Sequence, residues 1–239
     1  YVFRTCFVDT FQGQVAASFA RHNLKAQTAA VLLDVGSDYS VGLAKFFQKS
    51  FVALGGRVVL SSHYSGGDQE FGPQLAAIKD QAPDLIFLPA VLPEVPLIVR
   101  QARELGLTQP IICGDSAQTE ETLQIAGPAS EGLYFTTHFD EQAVVGEAGK
   151  HYVREYRRVY AKTPDPLGAP GYDGYLILLE AMARAGSTDP EALVRALEQT
   201  RDFPGVCGNI SIVGRDAVMP AVILSVKDGK FQYVATVEP

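Results

Sequence analysis

Short apolar runs alternate with longer stretches of helical spacing along the first part of the chain. The run 27–34 (QTAAVLLD) has strand length and little polar alternation, which predicts a strand buried on both faces. The stretch 39–54 then carries apolar residues three and four apart, and Gly55–Gly56 follows it as a helix terminator. The same logic predicts strands over 57–64, 84–90, 110–114 and 132–139. It predicts helices over 71–81, 94–105 (stopped at Gly106) and 120–126 (stopped at Gly127). Strand and helix in strict alternation, with short connections, predict an α/β fold. Its parallel sheet is flanked by helices on both faces and its crossovers are right-handed.

After 139 the pattern changes. The segments 146–162, 172–185 and 190–200 all read as helices, the last with Asp189 as N-cap and Pro190 at the first helical position. Three helices with apolar faces need a sheet to pack on, and 138–205 shows none of its own. The tail returns to strands over 208–213, 221–226 and 231–237, with Asp228–Gly229 as a hairpin turn between the last two.

The composition narrows the function. Of the 239 residues, 47% are hydrophobic and 20% charged, and the net charge of −7 argues against a nucleic-acid partner, since phosphate binding needs clustered Lys and Arg. No apolar run is long enough to span a bilayer. The chain opens at Tyr1 without an initiator Met or a signal-peptide pattern, so processing or truncation is expected to have removed what precedes it. The three cysteines, Cys6, Cys113 and Cys207, lie in apolar or tight settings and read as small buried hydrophobes. There is no G-x-S-x-G, no P-loop and no dinucleotide fingerprint. The four histidines are not at metal-ligand spacing. No catalytic residue, metal site or cofactor is expected.

In open α/β sheets ligands bind at the carboxyl ends of the strands. Three such ends carry suggestive chemistry: DVGSDY at 34–39, the loop Ala90–Val91–Leu92 with the residues that follow, and GDSAQT at 114–119. A parallel topology puts all three on one edge. Asp115, just past a buried strand, suits a ligand ammonium, although it could instead cap the short helix that follows. Tyr39 offers an aromatic wall with a phenol, or else it packs on the sheet. Ser37 and Asp38 either face the ligand or cap the helix that begins there.

Taken in order, YVFRTCFVDTFQGQVAASFA (1–20), DVGSDYSVGLAKFF (34–47), PEVPLIVRQARELGL (93–107), IAGPASEGLYFTTHF (125–139), GYDGYLILLEAMARAGS (171–187) and FPGVCGNISI with VKDGKF resemble type I periplasmic binding proteins. The closest branch is the leucine/isoleucine/valine-binding one. The resemblance covers essentially the whole chain. It implies a two-lobed fold of parallel sheets flanked by helices, with a ligand cleft between lobes that closes by hinge motion. It assigns 1–137 and 208–239 to the second lobe and 138–207 to the helical remainder of the first, whose opening part is missing from this chain. It also implies a substrate-binding protein of an ABC importer, periplasmic or otherwise extracytoplasmic and with or without a lipid anchor. Such a protein is a monomer, not an enzyme, and needs no cofactor. Its partners are a small-molecule ligand, an amino acid of the branched-chain or other hydrophobic kind, and a membrane permease. Asp115 falls where the family binds the α-ammonium, and Tyr39 where it has a tyrosine over the ligand. Two departures make the pocket wider or more aliphatic: Ala90–Val91–Leu92 and Leu167 stand where the family often has aromatics. The alternative on the same fold is a sensor or regulator responsive to amides or aromatic acids. An enzyme on an α/β scaffold is a further alternative, disfavoured because no nucleophile–base pair or metal set is visible.

Overall fold

The computed structural model describes residues 1–239. They form two compact units, one comprising 9–136 and 223–234, the other 1–8, 137–222 and 235–239.

The first unit opens with α1 (Asp9–His22) and alternates β1 (Thr28–Asp34), α2 (Asp38–Ala53), β2 (Arg57–Tyr64), α3 (Gly72–Gln81), β3 (Leu85–Leu88), α4 (Glu94–Glu104), β4 (Ile111–Cys113), α5 (Glu120–Ala126) and β5 (Leu133–Thr137). The march read from the pattern is therefore the one observed, with strand ends trimmed by one or two residues. The trimming follows hydrogen bonding: ladders stop where the chain turns, whereas apolar runs continue into the turn. Helix α1 is the element the pattern did not single out. Its buried face (Val15, Ala16, Ala17, Phe19, Ala20) is built largely from alanines, which give little periodic contrast. Gly13 on that face packs so closely on α2 that a Cβ there would stand 2.7 Å from the backbone nitrogen of Phe47.

Strands β1 and β2, β1 and β3, β3 and β4, and β4 and β5 all pair in parallel. The central strands are apolar without interruption, as sheets covered on both faces require: Leu85, Ile86, Phe87 and Leu88 are all buried, and Phe47 stacks on Phe87 with ring centroids 3.9 Å apart.

The second unit carries α6 (Glu147–Tyr160), α7 (Gly168–Ala185) and α8 (Pro190–Glu198), and a small sheet of β6 (Phe203–Gly205), β7 (Gly208–Val213) and β8 (Asp216–Val218) paired antiparallel. The helical stretch thus does have strands beside it, three residues long in two cases and too short to leave a periodic signature. Residues 1–8 and 208–222, which the resemblance assigns together with the large sheet, group with this unit. The Arg4 amide donates to the Arg215 carbonyl and the Thr5 hydroxyl to the Pro170 carbonyl. Helix α7 starts four residues earlier than its apolar pattern suggests. Asp165 Oδ1 accepts from the amides of Leu167 and Gly168, and Pro170 is tolerated because first-turn amides need no helical acceptor. Asp189 caps α8 through the amides of Glu191 and Ala192, as its position before Pro190 predicts.

The last strands, β9 (Ala221–Lys227) and β10 (Lys230–Val237), join the large sheet at its edge, giving the order β10-β9-β5-β4-β3-β1-β2. Asp228 and Gly229 between them have φ of 51° and 68°, the paired left-handed conformations of a type I′ turn. No helix is long and apolar enough to cross a membrane.

Candidate functional site

In the strand order 2-1-3-4-5 the chain passes from β1 to β2 on one side and then crosses back to β3 on the other, so the topological switch lies at the carboxyl ends of β1 and β3. The loops after β1, β3 and β4 are neighbours there, because those strands are adjacent and parallel.

Two of the residues named from strand ends meet directly. Tyr39, in the first turn of α2, donates its hydroxyl to Oδ1 of Asp115 at 2.9 Å. Asp115 opens a 3-10 turn after β4, with Gly114 ahead of it. It does not cap α5: Thr119 does, accepting from the Thr122 amide. The same Oδ1 accepts a second bond, from Nε2 of Gln12 on α1, at 2.9 Å. That amide also donates to the Thr136 hydroxyl at the end of β5, at 2.9 Å. Gln12 is 2% exposed and was not visible as a site residue in the sequence, since 103 positions separate it from Asp115. Ser116 donates to the Ala90 carbonyl at 2.6 Å, which ties the loop after β4 to the loop after β3.

The remaining candidates divide. Ser37 is the N-cap of α2, its side chain accepting from the Ser40 amide at 3.3 Å, and Asp38 is exposed in the first turn. Ala90 is buried, so its carbonyl rather than its side chain is what that position contributes. Val91 is exposed and Leu92 half-buried on the same loop, both apolar. Leu167 belongs to the other unit, where it precedes α7 and is 66% exposed.

Electrostatics sharpen the picture at Tyr39. Burial first, then the negative charges of Asp115 and Asp9, push its phenol far above the ordinary tyrosine range. The hydroxyl therefore stays protonated and acts as a donor toward Asp115 throughout the physiological range. The Tyr39 phenol and the Gln12 amide are neutral donors, so they orient the carboxylate without cancelling its charge. Hydrogen bonds to a charged group contribute about 1.5–3 kcal/mol each, enough to hold one rotamer.

Gly114 makes room for this contact. A Cβ there would run into the Tyr39 hydroxyl and stand 3.1 Å from Leu43 Cδ2. Gly114→Ala is expected to break the Tyr39–Asp115 bond and to destabilise the protein by about 1–3 kcal/mol, the usual cost of overpacking. Urea denaturation reads this directly, and an unchanged midpoint would mean the ring can move aside freely.

An open groove of about 740 Å³ lies at the opposite, amino-terminal edge of the same sheet, lined among others by Arg100, Glu104, Pro110, Glu131 and Tyr134. Its most buried cation, Arg103, is already spent on the carbonyls of Leu107 and Gln109. Convergent polar chemistry is found at the carboxyl edge instead.

A sequence profile described as periplasmic binding protein matches residues 1–230. Leu/Ile/Val-binding protein homolog 1 of Brucella suis is 29% identical over 237 residues, covering 97% of this chain and 63% of that protein. The leucine-, isoleucine-, valine-, threonine- and alanine-binding protein of Pseudomonas aeruginosa is 28% identical over 214 residues, covering 87% of this chain and 55% of its own length. The crystal structure of a leucine-binding protein from Thermotoga maritima superposes with a TM-score of 0.94 at 42% identity, covering 100% of this chain and 68% of that one. A branched-chain amino acid transporter substrate-binding protein of Streptococcus pneumoniae, solved with isoleucine, gives a TM-score of 0.89 at 29% identity, over 100% and 68% of the two chains. The chain thus spans about 63% of the length of the first of these curated relatives.

Proposed function

Given that the chain belongs to the type I periplasmic binding proteins of the leucine/isoleucine/valine-binding type, we propose that it captures a branched-chain or other hydrophobic amino acid for an ABC importer on the extracytoplasmic side of a membrane. The observation that carries this reading is the Asp115 carboxylate at the carboxyl edge of the sheet, oriented by Tyr39 and Gln12. The charges acting on Tyr39, those of Asp115 and Asp9, are both negative, so this end of the site favours a ligand ammonium over a ligand carboxylate. Val91 and Leu92 supply apolar surface on the neighbouring loop, which suits an aliphatic side chain. Relatives whose names specify leucine, isoleucine and valine agree with that chemistry.

Asp115 binds the α-ammonium and the Tyr39 ring forms a wall beside it. Capture does no chemistry on the ligand. Its output is a ligand-stabilised conformation that a membrane permease recognises, so the ligand acts by shifting a population.

A thermal-shift screen tests this. The panel is L-leucine, L-isoleucine, L-valine, L-phenylalanine, 4-methylpentanoate and benzoate. A ligand at 1,000-fold over its Kd stabilises by about 4 kcal/mol, which for a chain of this size moves the midpoint by on the order of 10 °C. The shift is expected with the free amino acids alone. A shift confined to 4-methylpentanoate or benzoate, which lack an ammonium, would assign the protein to another solute class.

A further inference from the structure

We propose that Gln12 is a positioning residue of the ligand site: it holds the Asp115 carboxylate in the orientation that receives the ligand's ammonium. The inference rests on the amino-acid reading above and adds to it a residue that does not touch ligand.

Gln12 is buried at 2% exposure in the first turns of α1. A buried amide costs free energy unless its hydrogen bonds are made. Here both bonds go to defined acceptors, Oδ1 of Asp115 and Oγ1 of Thr136, each at 2.9 Å. The Thr136 end anchors the amide to β5, a strand of the rigid sheet. The Asp115 end meets the same oxygen that Tyr39 grips from α2. Two donors from two helices therefore converge on one carboxylate oxygen, and the position of that oxygen is set by the sheet and both helices rather than by its own short loop. Sites whose contact groups are locked in this way lose less conformational entropy when ligand binds.

The chemistry of the donor matters as much as its place. A lysine or arginine reaching Asp115 would orient it too, but would cancel the charge that the ammonium needs. An amide and a phenol orient it and leave the charge in place. Tyr39 also faces the ligand in the proposed arrangement, so Gln12 is the partner whose removal changes the orientation of Asp115 without removing a ligand contact.

The test is titration calorimetry on the protein with the tightest-binding of L-leucine, L-isoleucine, L-valine and L-phenylalanine, comparing Gln12→Met, Asp115→Asn and the double variant. Methionine keeps the length of the side chain and removes both donors. Gln12→Met is expected to weaken binding about 10- to 100-fold, the range for loss of a hydrogen bond to a charged group, with the ligand-free thermal midpoint moving far less than that loss implies. In the Asp115→Asn background the same change is expected to cost less than about threefold, because its effect runs through the charge. Thr136→Val, which removes only the anchor, is expected to weaken binding by a smaller factor and covers the case in which Gln12→Met folds poorly. Binding by Gln12→Met within twofold of the unchanged protein overturns the proposal, as does an equal loss in both backgrounds, which would mark Gln12 as structural. If Asp115→Asn itself binds normally, the ammonium assignment fails instead, and the positioning role falls with it. A protein that binds none of the four amino acids overturns both.

Discussion

Asp115→Asn is expected to weaken amino-acid binding by at least about 100-fold, or about 2.8 kcal/mol, while leaving the thermal midpoint of the ligand-free protein nearly unchanged. Both halves of that expectation follow from the same contacts. Asparagine keeps an oxygen that accepts from Tyr39 and Gln12, so the two bonds that lock the turn after β4 survive. What it removes is the negative charge, and a charge-assisted bond to an ammonium is roughly twice as strong as its neutral counterpart. Asp115→Ala is a poorer experiment. It would leave the amide of Gln12, at 2% exposure, without one of its acceptors, and an unsatisfied buried donor costs about 1–3 kcal/mol of stability on its own. Calorimetric titration and a thermal scan on Asp115→Asn together separate affinity from folding. Retained binding within a few fold would move the ammonium to another residue and leave Asp115 as part of the scaffold alone.

The sequence made the large sheet and its carboxyl edge legible for one physical reason. Buried parallel strands are uninterrupted apolar runs, and their order along the chain fixes which loops share an edge. Asp115 and Tyr39 were therefore visible as strand-end residues, and their hydrogen bond is a contact that topology alone brings within reach. Gln12 was not visible. Its meaning is its partner, and a side-chain amide pairing with a carboxylate 103 positions away leaves no local pattern. The start of α7 was hidden for the opposite reason. GAPG looks like a helix breaker, but Asp165 satisfies the first amides and makes those residues the opening turn. Strands β6 and β8 are three residues each, too short for any period to show. Leu167, singled out by resemblance, lies exposed ahead of α7 in the second unit, and the meeting of Tyr39 with Asp115 takes place wholly within the first.

The largest stability effect is expected at Asp173 on α7, a residue outside the Tyr39–Asp115–Gln12 cluster. Its carboxylate is fully buried in α7 and accepts the amides of Val206 at 2.6 Å and Cys207 at 2.9 Å, one on each oxygen. Those amides belong to the tight link between β6 and β7, where Gly205 passes so close that a Cβ would stand 2.9 Å from the carboxyl group. The carboxylate thus serves as the absent backbone partner of a buried turn. Asp173→Asn is nearly isosteric but replaces one acceptor with an NH2 group that faces an N–H, so it both loses a bond and opposes two donors. The expected cost is about 1–3 kcal/mol for the buried amide left without its acceptor, with the repulsion between the facing donors added to it, read as a lowered midpoint in urea. The pH dependence gives a second signature. Burial, outweighing the two amide bonds and a bond from the Cys207 thiol, raises the Asp173 carboxyl above its ordinary value of 3.8. The folded state then binds the proton more tightly than the unfolded one. The group's contribution is fully present below pH 3.8 and declines as pH rises through the folded value. Asparagine carries no such proton, so the stability difference between variant and unchanged protein should narrow as pH climbs through that window and level off above it. A difference that stays constant across the window would mean that the carboxyl titrates alike in the folded and unfolded chains, and that its bonds from the two amides and the Cys207 thiol fully offset the cost of burying its charge.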